Sequence, residues 1–305
     1  MKPALAIVLL SGLASAQDYI RTPVPGRDGE APLCITWNKR EFTYVVDSAG
    51  SSRTPGDSEF VAIDAAFASW QAVSDTCSDF QFLRGNRLSR VQIGRGSESE
   101  NAIVFRETTC RLAALPNDAC QADGSCANKY ACWDHSDFTI ALTTTTFSVK
   151  TGAIYDADIE LNAAPHVDNS SFLFTTISSP PCEEGKEAVT CVASDIQNTL
   201  THEIGHAVGF DHVDVAGSTM EATASVGETQ KRIIDFGTAR GFCSTYPRGQ
   251  PAVQCDELAQ LRKTIDARGS GTAGLPGCNC GAAPSELAAF AVALLGLLRR
   301  PKRQV

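Results

Sequence analysis

The chain has 305 residues, of which 43% are hydrophobic and 20% charged, with a formal net charge of −9. That apolar fraction belongs to a folded globular protein and excludes a disordered chain. The acidic balance offers no basic patch to displace counterions from phosphates, which excludes nucleic acid as a partner.

In chain order, Lys2, the apolar run from Ala4 to Leu10 and the small residues Ala14-Ser15-Ala16 form the tripartite pattern of a secretory leader over 1–16. Export and cleavage before Gln17 are expected. A short segment, 17–32, leads into one domain over 33–247, a length that one core supports. Phe42, Tyr44 and Val46 alternate between Glu41 and Asp47, which predicts a strand. Phe60, Ile63, Phe67 and Trp70 follow Pro55 and Asp57 at helical spacing and predict a helix over 57–74. Short β-rich runs occupy 80–83, 91–93, 102–105 and 138–142, with a further strand over 153–161. Residues 107–136 hold Cys110, Cys120, Cys126 and Cys132 with little periodicity, so a loop pinned by disulfides is expected. His135 and His166 read as solvated loop histidines. The ten cysteines up to Cys255 lack C-x-x-C spacing, and in an exported chain they form up to five disulfides whose pairing is open.

The densest chemistry lies in H-E-I-G-H-A-V-G-F-D-H, from His202 to His212. Ser194 and Gln197 form a capping-box pattern, so a helix begins near Asp195. On it His202 and His206 stand one turn apart, and the apolar stripe Ile196, Leu200, Ile204 and Val208 lies nearly opposite them. Gly209 suits the left-handed turn that stops the helix and returns the chain to present His212. Three neutral imidazoles leave one corner of a tetrahedron open, the layout of a catalytic zinc, with Glu203 placed as general base. At background residue frequencies, an accidental match in a chain this long is on the order of 10⁻⁵.

Beyond the domain, 248–276 is rich in polar residues, Gly and Pro, as a surface linker is. The segment 277–305 carries Cys278 and Cys280, an apolar run from Leu287 to Leu298, and the cluster Arg299, Arg300, Lys302 and Arg303. Twelve apolar residues fall short of the ~20 that span a bilayer comfortably, and the closing cations suit a stop-transfer or sorting signal. The segment resembles the MYXO-CTERM type of surface-sorting tag. That resemblance implies processing by export or sorting machinery and a protein anchored at the outer surface or released.

The histidine motif, together with Met220 eight residues beyond His212, resembles the metzincin zinc endopeptidases, and the interval is similar to their matrixin branch. Gly152 to Asn162 resembles the cleft-lining edge strand of bacterial matrixin-like proteases, and Lys231 to Pro247 resembles their closing helix. The resemblance implies an α+β fold: a twisted, mostly parallel sheet with an edge strand over the cleft, two long helices, and zinc between an upper and a smaller lower subdomain. It implies catalytic Zn2+ on His202, His206 and His212, Glu203 as the catalytic carboxylate, and Met220 in a turn beneath the metal. Substrate would pair with Asp158, Ile159, Glu160 and Leu161. The partner implied is a protein or peptide substrate met by a monomer, and Ca2+ near Asp156 and Asp158 is a further expectation. The chain departs from the pattern at Val213, where matrixins commonly carry serine, and Cys34 sits in no cysteine-switch motif. Two other readings stay open: a surface-anchored zinc module that holds peptide without cutting, and a disulfide-built protein whose helix is structural.

Overall fold

A computed structural model describes residues 18–25, 33–94 and 101–255. The leader expected at 1–16 and the tag expected at 277–305 lie outside the described residues.

The first strands are β1 (Ile20–Arg21), β2 (Thr36–Trp37) and β3 (Glu41–Asp47). Phe42, Tyr44 and Val46 of β3 point into the core as their alternation predicts. The long helix α1 (Ser58–Cys77) buries Phe60, Ile63, Phe67 and Trp70 along one face, three residues longer at its end than expected. Next come β4 (Gln81–Leu88) and β5 (Asn101–Arg106), then three one-turn helices, α2 (Cys110–Ala113), α3 (Cys120–Asp123) and α4 (Cys126–Tyr130). Strands β6 (Ala141–Phe147) and β7 (Ala153–Asn162) precede the short pair β8 (Phe174–Thr175) and β9 (Ser194–Asp195). The histidine helix α5 (Ile196–Ala207), β10 (Phe210–Asp211) and α6 (Phe236–Thr245) follow.

The main sheet runs β2-β7-β5-β3-β4, all parallel, with β6 antiparallel against β7. Its inner face meets α1 and α5 in one core that includes Phe42, Phe67, Trp70, Ile159, Leu161, Leu200 and Ile204. This is the mostly parallel sheet with helices packed against it that the resemblance implies.

Three strand expectations shift. Between 80 and 93 only β4 forms, and it runs through Arg84 and Arg87, whose polarity ends the apolar signal while the backbone still pairs with β3. The strand expected at 138–142 starts later, because Phe138 is 95% exposed, and continues through the β-branched threonines to Phe147. The largest correction concerns β7. Ile103 to Phe105 pair with 159–161 on one side and Ala141 to Thr144 with 158–161 on the other. The strand expected to take substrate through Asp158, Ile159, Glu160 and Leu161 is therefore interior. Its backbone groups are already paired, Ile159 and Leu161 are core, and Asp158 and Glu160 are buried. The edge strand is β6.

Five disulfides form: Cys34–Cys255, Cys77–Cys243, Cys110–Cys132, Cys120–Cys126 and Cys182–Cys191. Cys77–Cys243 ties the end of α1 to α6, and two bridges pin the 107–136 segment as expected. Residues outside 33–247 pack against this domain. β1 pairs with β10, the buried Arg21 guanidinium donates to Val253 O and Ile35 O, and Cys255 is bridged to Cys34.

Candidate metal centre

Helix α5 is seated at both ends. Asp195, rather than the expected Ser194, is its N-cap and accepts from Asn198 N at 2.8 Å. Both residues belong to β9, and the Arg232 guanidinium orients the Asp195 carboxylate at the positive end of the helix. At the other end, Trp37 Nε1 donates to Ala207 O and Tyr246 Oη donates to Val208 O, satisfying carbonyls that a helix leaves open. Between these anchors nearly the whole helix is buried, so the stripe opposite the histidines is not the only packed side.

After the helix, Gly209 takes φ +92°, and a Cβ there would lie 2.6 Å from Ile35 O. The turn it permits feeds β10, whose pairing with β1 fixes the approach to His212. Asp211 Oδ1 accepts from His212 N, and Val213 N donates to Met220 O.

The three imidazoles converge. Their Nε2 atoms lie 3.1 Å (His202 to His206), 3.2 Å (His202 to His212) and 3.1 Å (His206 to His212) apart. His202 Nδ1 donates to Thr219 O at 2.7 Å and His206 Nδ1 to Phe210 O at 2.8 Å. Those bonds place the ring protons of His202 and His206 on Nδ1 and turn their bare Nε2 lone pairs toward each other and toward His212 Nε2. Such an arrangement repels itself unless a cation sits within it. Nitrogens ~2.0–2.1 Å from a tetrahedral zinc are separated by about 3.3–3.4 Å, close to the spacing here. Burial foremost holds all three histidines below the usual imidazole value, so they are neutral ligands at pH 7. Among the described residues, this is the one group of three or more such side chains placed to hold a metal ion.

Met220 is fully buried. Its turn is tied to the N-cap of α6, where Asp235 Oδ2 accepts from Thr219 N at 2.7 Å. Gly205, inside the motif, lets it in: a Cβ there would stand 2.2 Å from Met220 Sδ.

Glu203 is buried beside the metal ligands, and burial pushes its carboxyl up to about 7 against the opposing hydrogen bond from Thr143. Thr143 Oγ1 on β6 donates to Glu203 Oε2 at 2.7 Å. The carboxylate and the histidines open on a cleft of about 440 Å³ walled by β6 on one side and residues 221–224 on the other. The family model described as matrixin matches residues 36–246. The chain belongs to the matrixin family. No curated protein matches the chain. The family is one of zinc metalloproteases, and in this matrixin the donor set fits that metal.

Residue-level expectations separate clearly. The structure gathers His202, His206, His212, Glu203 and Met220 within one site and leaves 158–161 out of the cleft. Sequence reading missed Thr143 and Thr22, which also line it. A lone threonine carries no spacing signal, and Thr22 reaches the cleft only through the pairing of β1. Asp156 and Asp158 are buried together, but Asp158 already accepts from Gly94 N and Ala102 N. Only the two Asp156 oxygens are free, and the described residues do not assemble the six to eight oxygens calcium takes. His135 is not merely solvated: its Nε2 lies 3.4 Å from Glu160 Oε2, beside the buried Arg106–Glu160 pair. The His166 ring packs on Phe172, with Nδ1 3.0 Å from Ser170 Oγ.

Proposed function

We propose that this matrixin is an exported zinc-dependent endopeptidase that hydrolyses peptide bonds in extracellular proteins. The observation that carries the proposal is a buried carboxyl, Glu203, held by a strand-edge hydroxyl beside three convergent histidine Nε2 atoms at the wall of an open cleft. Bound zinc supplies Lewis acidity, which acidifies water and polarises a carbonyl. Glu203 takes the proton of the attacking water on its carboxylate and returns it to the departing amine. Thr143 fixes the rotamer of that carboxylate and presents it toward the cleft. An extended peptide aligns along the unpaired edge of β6, main chain to main chain, which places the scissile carbonyl beside Glu203.

Export is supported by the leader pattern at 1–16 and by five closed disulfides, which persist in oxidising compartments. The cysteine, apolar and basic pattern of 277–305 supports handling by surface-sorting machinery. The test is casein cleavage by the purified chain with and without a zinc chelator, alongside Glu203→Ala. The expected result is cleavage that the chelator abolishes and that Glu203→Ala loses while keeping its zinc. Undiminished cleavage by Glu203→Ala overturns the mechanism, and zinc-dependent peptide binding without cleavage by the native chain overturns the enzyme.

A further inference from the structure

Two segments outside the matched 36–246 meet at the turn that presents His212. The first, 18–35, brings Thr22 N to Gly209 O at 2.9 Å and pairs Ile20 and Arg21 with β10. It also sets Ile35 O so close to Gly209 that a Cβ there would meet it at 2.6 Å. The second is the strap 247–255. Arg21 joins the two: its guanidinium donates to Val253 O at 2.9 Å and to Ile35 O at 3.3 Å. Gln254 adds a further tie, its Oε1 accepting from Cys34 N at 3.3 Å and its Nε2 donating to Thr36 Oγ1 at 3.0 Å. The Cys34–Cys255 bridge then locks the strap to the residue before Ile35.

The joint depends on that lock. The Arg21 guanidinium is buried, meets only carbonyl oxygens among the described residues, and leaves its Nε without an acceptor. A buried cation held by neutral acceptors stays in place only while the chain around it keeps water out and the carbonyls fixed. Opening the bridge frees the end of the strap, admits water to the guanidinium, and removes the hold on Ile35 behind Gly209. His212 is the ligand that feels this, because it alone stands outside α5 and is the most exposed of the three. Cys34 is also the first and Cys255 the last of the ten bridged cysteines, 221 residues apart. This bridge therefore closes only once the whole domain is present. Closure converts two thiols to one disulfide while a disulfide oxidant is reduced to two thiols.

We propose that Cys34–Cys255 is a redox interlock on the metal centre: the site holds zinc tightly only after the bridge closes, so activity is withheld until the complete domain stands in an oxidising compartment. The interlock concerns retention of the metal and goes beyond the endopeptidase reading. The experiment is a competitive zinc titration of the full chain, of Cys34→Ser with Cys255→Ser, and of Cys182→Ser with Cys191→Ser as a control that opens a short loop elsewhere. The first pair is expected to bind zinc about ten- to a hundredfold more weakly than the native chain, and the control as tightly as the native chain. Arg21→Gln keeps the bridge and is expected to weaken zinc binding about tenfold, and it decides the matter if the first pair does not fold. Added to the first pair, Arg21→Gln should cost less than the two separate losses combined, because both act on one joint. Native zinc affinity in the first pair or in Arg21→Gln overturns the interlock, as does an equal loss in the control, and each of these leaves the protease reading intact. A native chain that binds no zinc overturns both.

Discussion

Gly205→Ala tests whether the glycine inside the histidine motif is there for packing. Alanine is the better helix former by about 0.8–1 kcal/mol, so an exposed helix would gain from the change. Here the added Cβ would lie 2.2 Å from Met220 Sδ, 3.0 Å from Met220 Cε and 3.3 Å from Trp70 Cζ2. Ordinary carbon contacts need about 3.5–4.0 Å, so the sulfur must retreat by well over an ångström. Met220 and Trp70 have no exposed surface through which to yield. Overpacking of this kind costs about 1–3 kcal/mol, which offsets the gain in propensity and leaves a net loss of up to about 2 kcal/mol. The displacement also reaches the metal centre, because Thr219, the neighbour of Met220, accepts the Nδ1 proton of His202. Loss of that outer bond weakens zinc binding by about tenfold or more. Guanidinium unfolding of the oxidised, chelated protein measures the first effect, and a competitive zinc titration measures the second. Met220→Ala in the same chain makes room for the Cβ, so the two substitutions together cost less than their separate losses added. A Gly205→Ala protein as stable as the native chain, with unaltered zinc affinity, refutes the reasoning.

Three other perturbations probe separate parts of the account. Thr143→Val removes the donor to Glu203 Oε2 while keeping the shape of the edge strand, and is expected to lower kcat/KM for casein peptides about tenfold at unchanged zinc content; native kinetics would show that the hydroxyl does not orient the carboxylate. Deleting residues 18–25 removes the strand paired with Phe210–Asp211, and the chain is expected to bind zinc at least about tenfold more weakly because His212 loses its support, as a competitive titration would read; equal affinity contradicts that role. Burial, and then the adjacent Asp156, push the Asp158 carboxyl up to about 7, so the native state holds a proton between pH 4 and 7 that the unfolded chain has released. Stability therefore falls as pH rises through that window, and Asp156→Asn should flatten the fall and add about 1–3 kcal/mol at pH 8 in a chelator, measured by urea unfolding at pH 5 and 8; an unchanged pH slope contradicts the coupling.

Much of the centre could be read from the chain because its chemistry is local. His202, Glu203 and His206 share one helix, and Gly209 and His212 follow within six residues, so spacing alone brings the ligands together. Strand β3 and helix α1 were legible for the same reason, since their apolar periods are uninterrupted. The edge strand was not. Which strand sits at the rim is decided by pairing between distant segments, and the acidic alternation of β7 looks like an exposed strand until Arg106, Gly94 and Ala102 are placed against its carboxylates. The Thr143–Phe147 stretch carries no apolar alternation to mark it. The helix cap was shifted by one residue, because Asp195 is chosen by an arginine 37 positions away. Thr22 and Lys231 enter the cleft only through tertiary contacts, and no window of sequence contains them together with the histidines.

The most direct measurement is the zinc content of the purified chain before and after substitution of its ligands. The account predicts about one tightly held zinc per native chain, the same in Glu203→Ala, and loss of that zinc in His202→Ala and His206→Ala, with proteolysis absent from all three variants. A native chain that retains no zinc yet cleaves casein, or that keeps its zinc when both helical histidines are replaced, would contradict it.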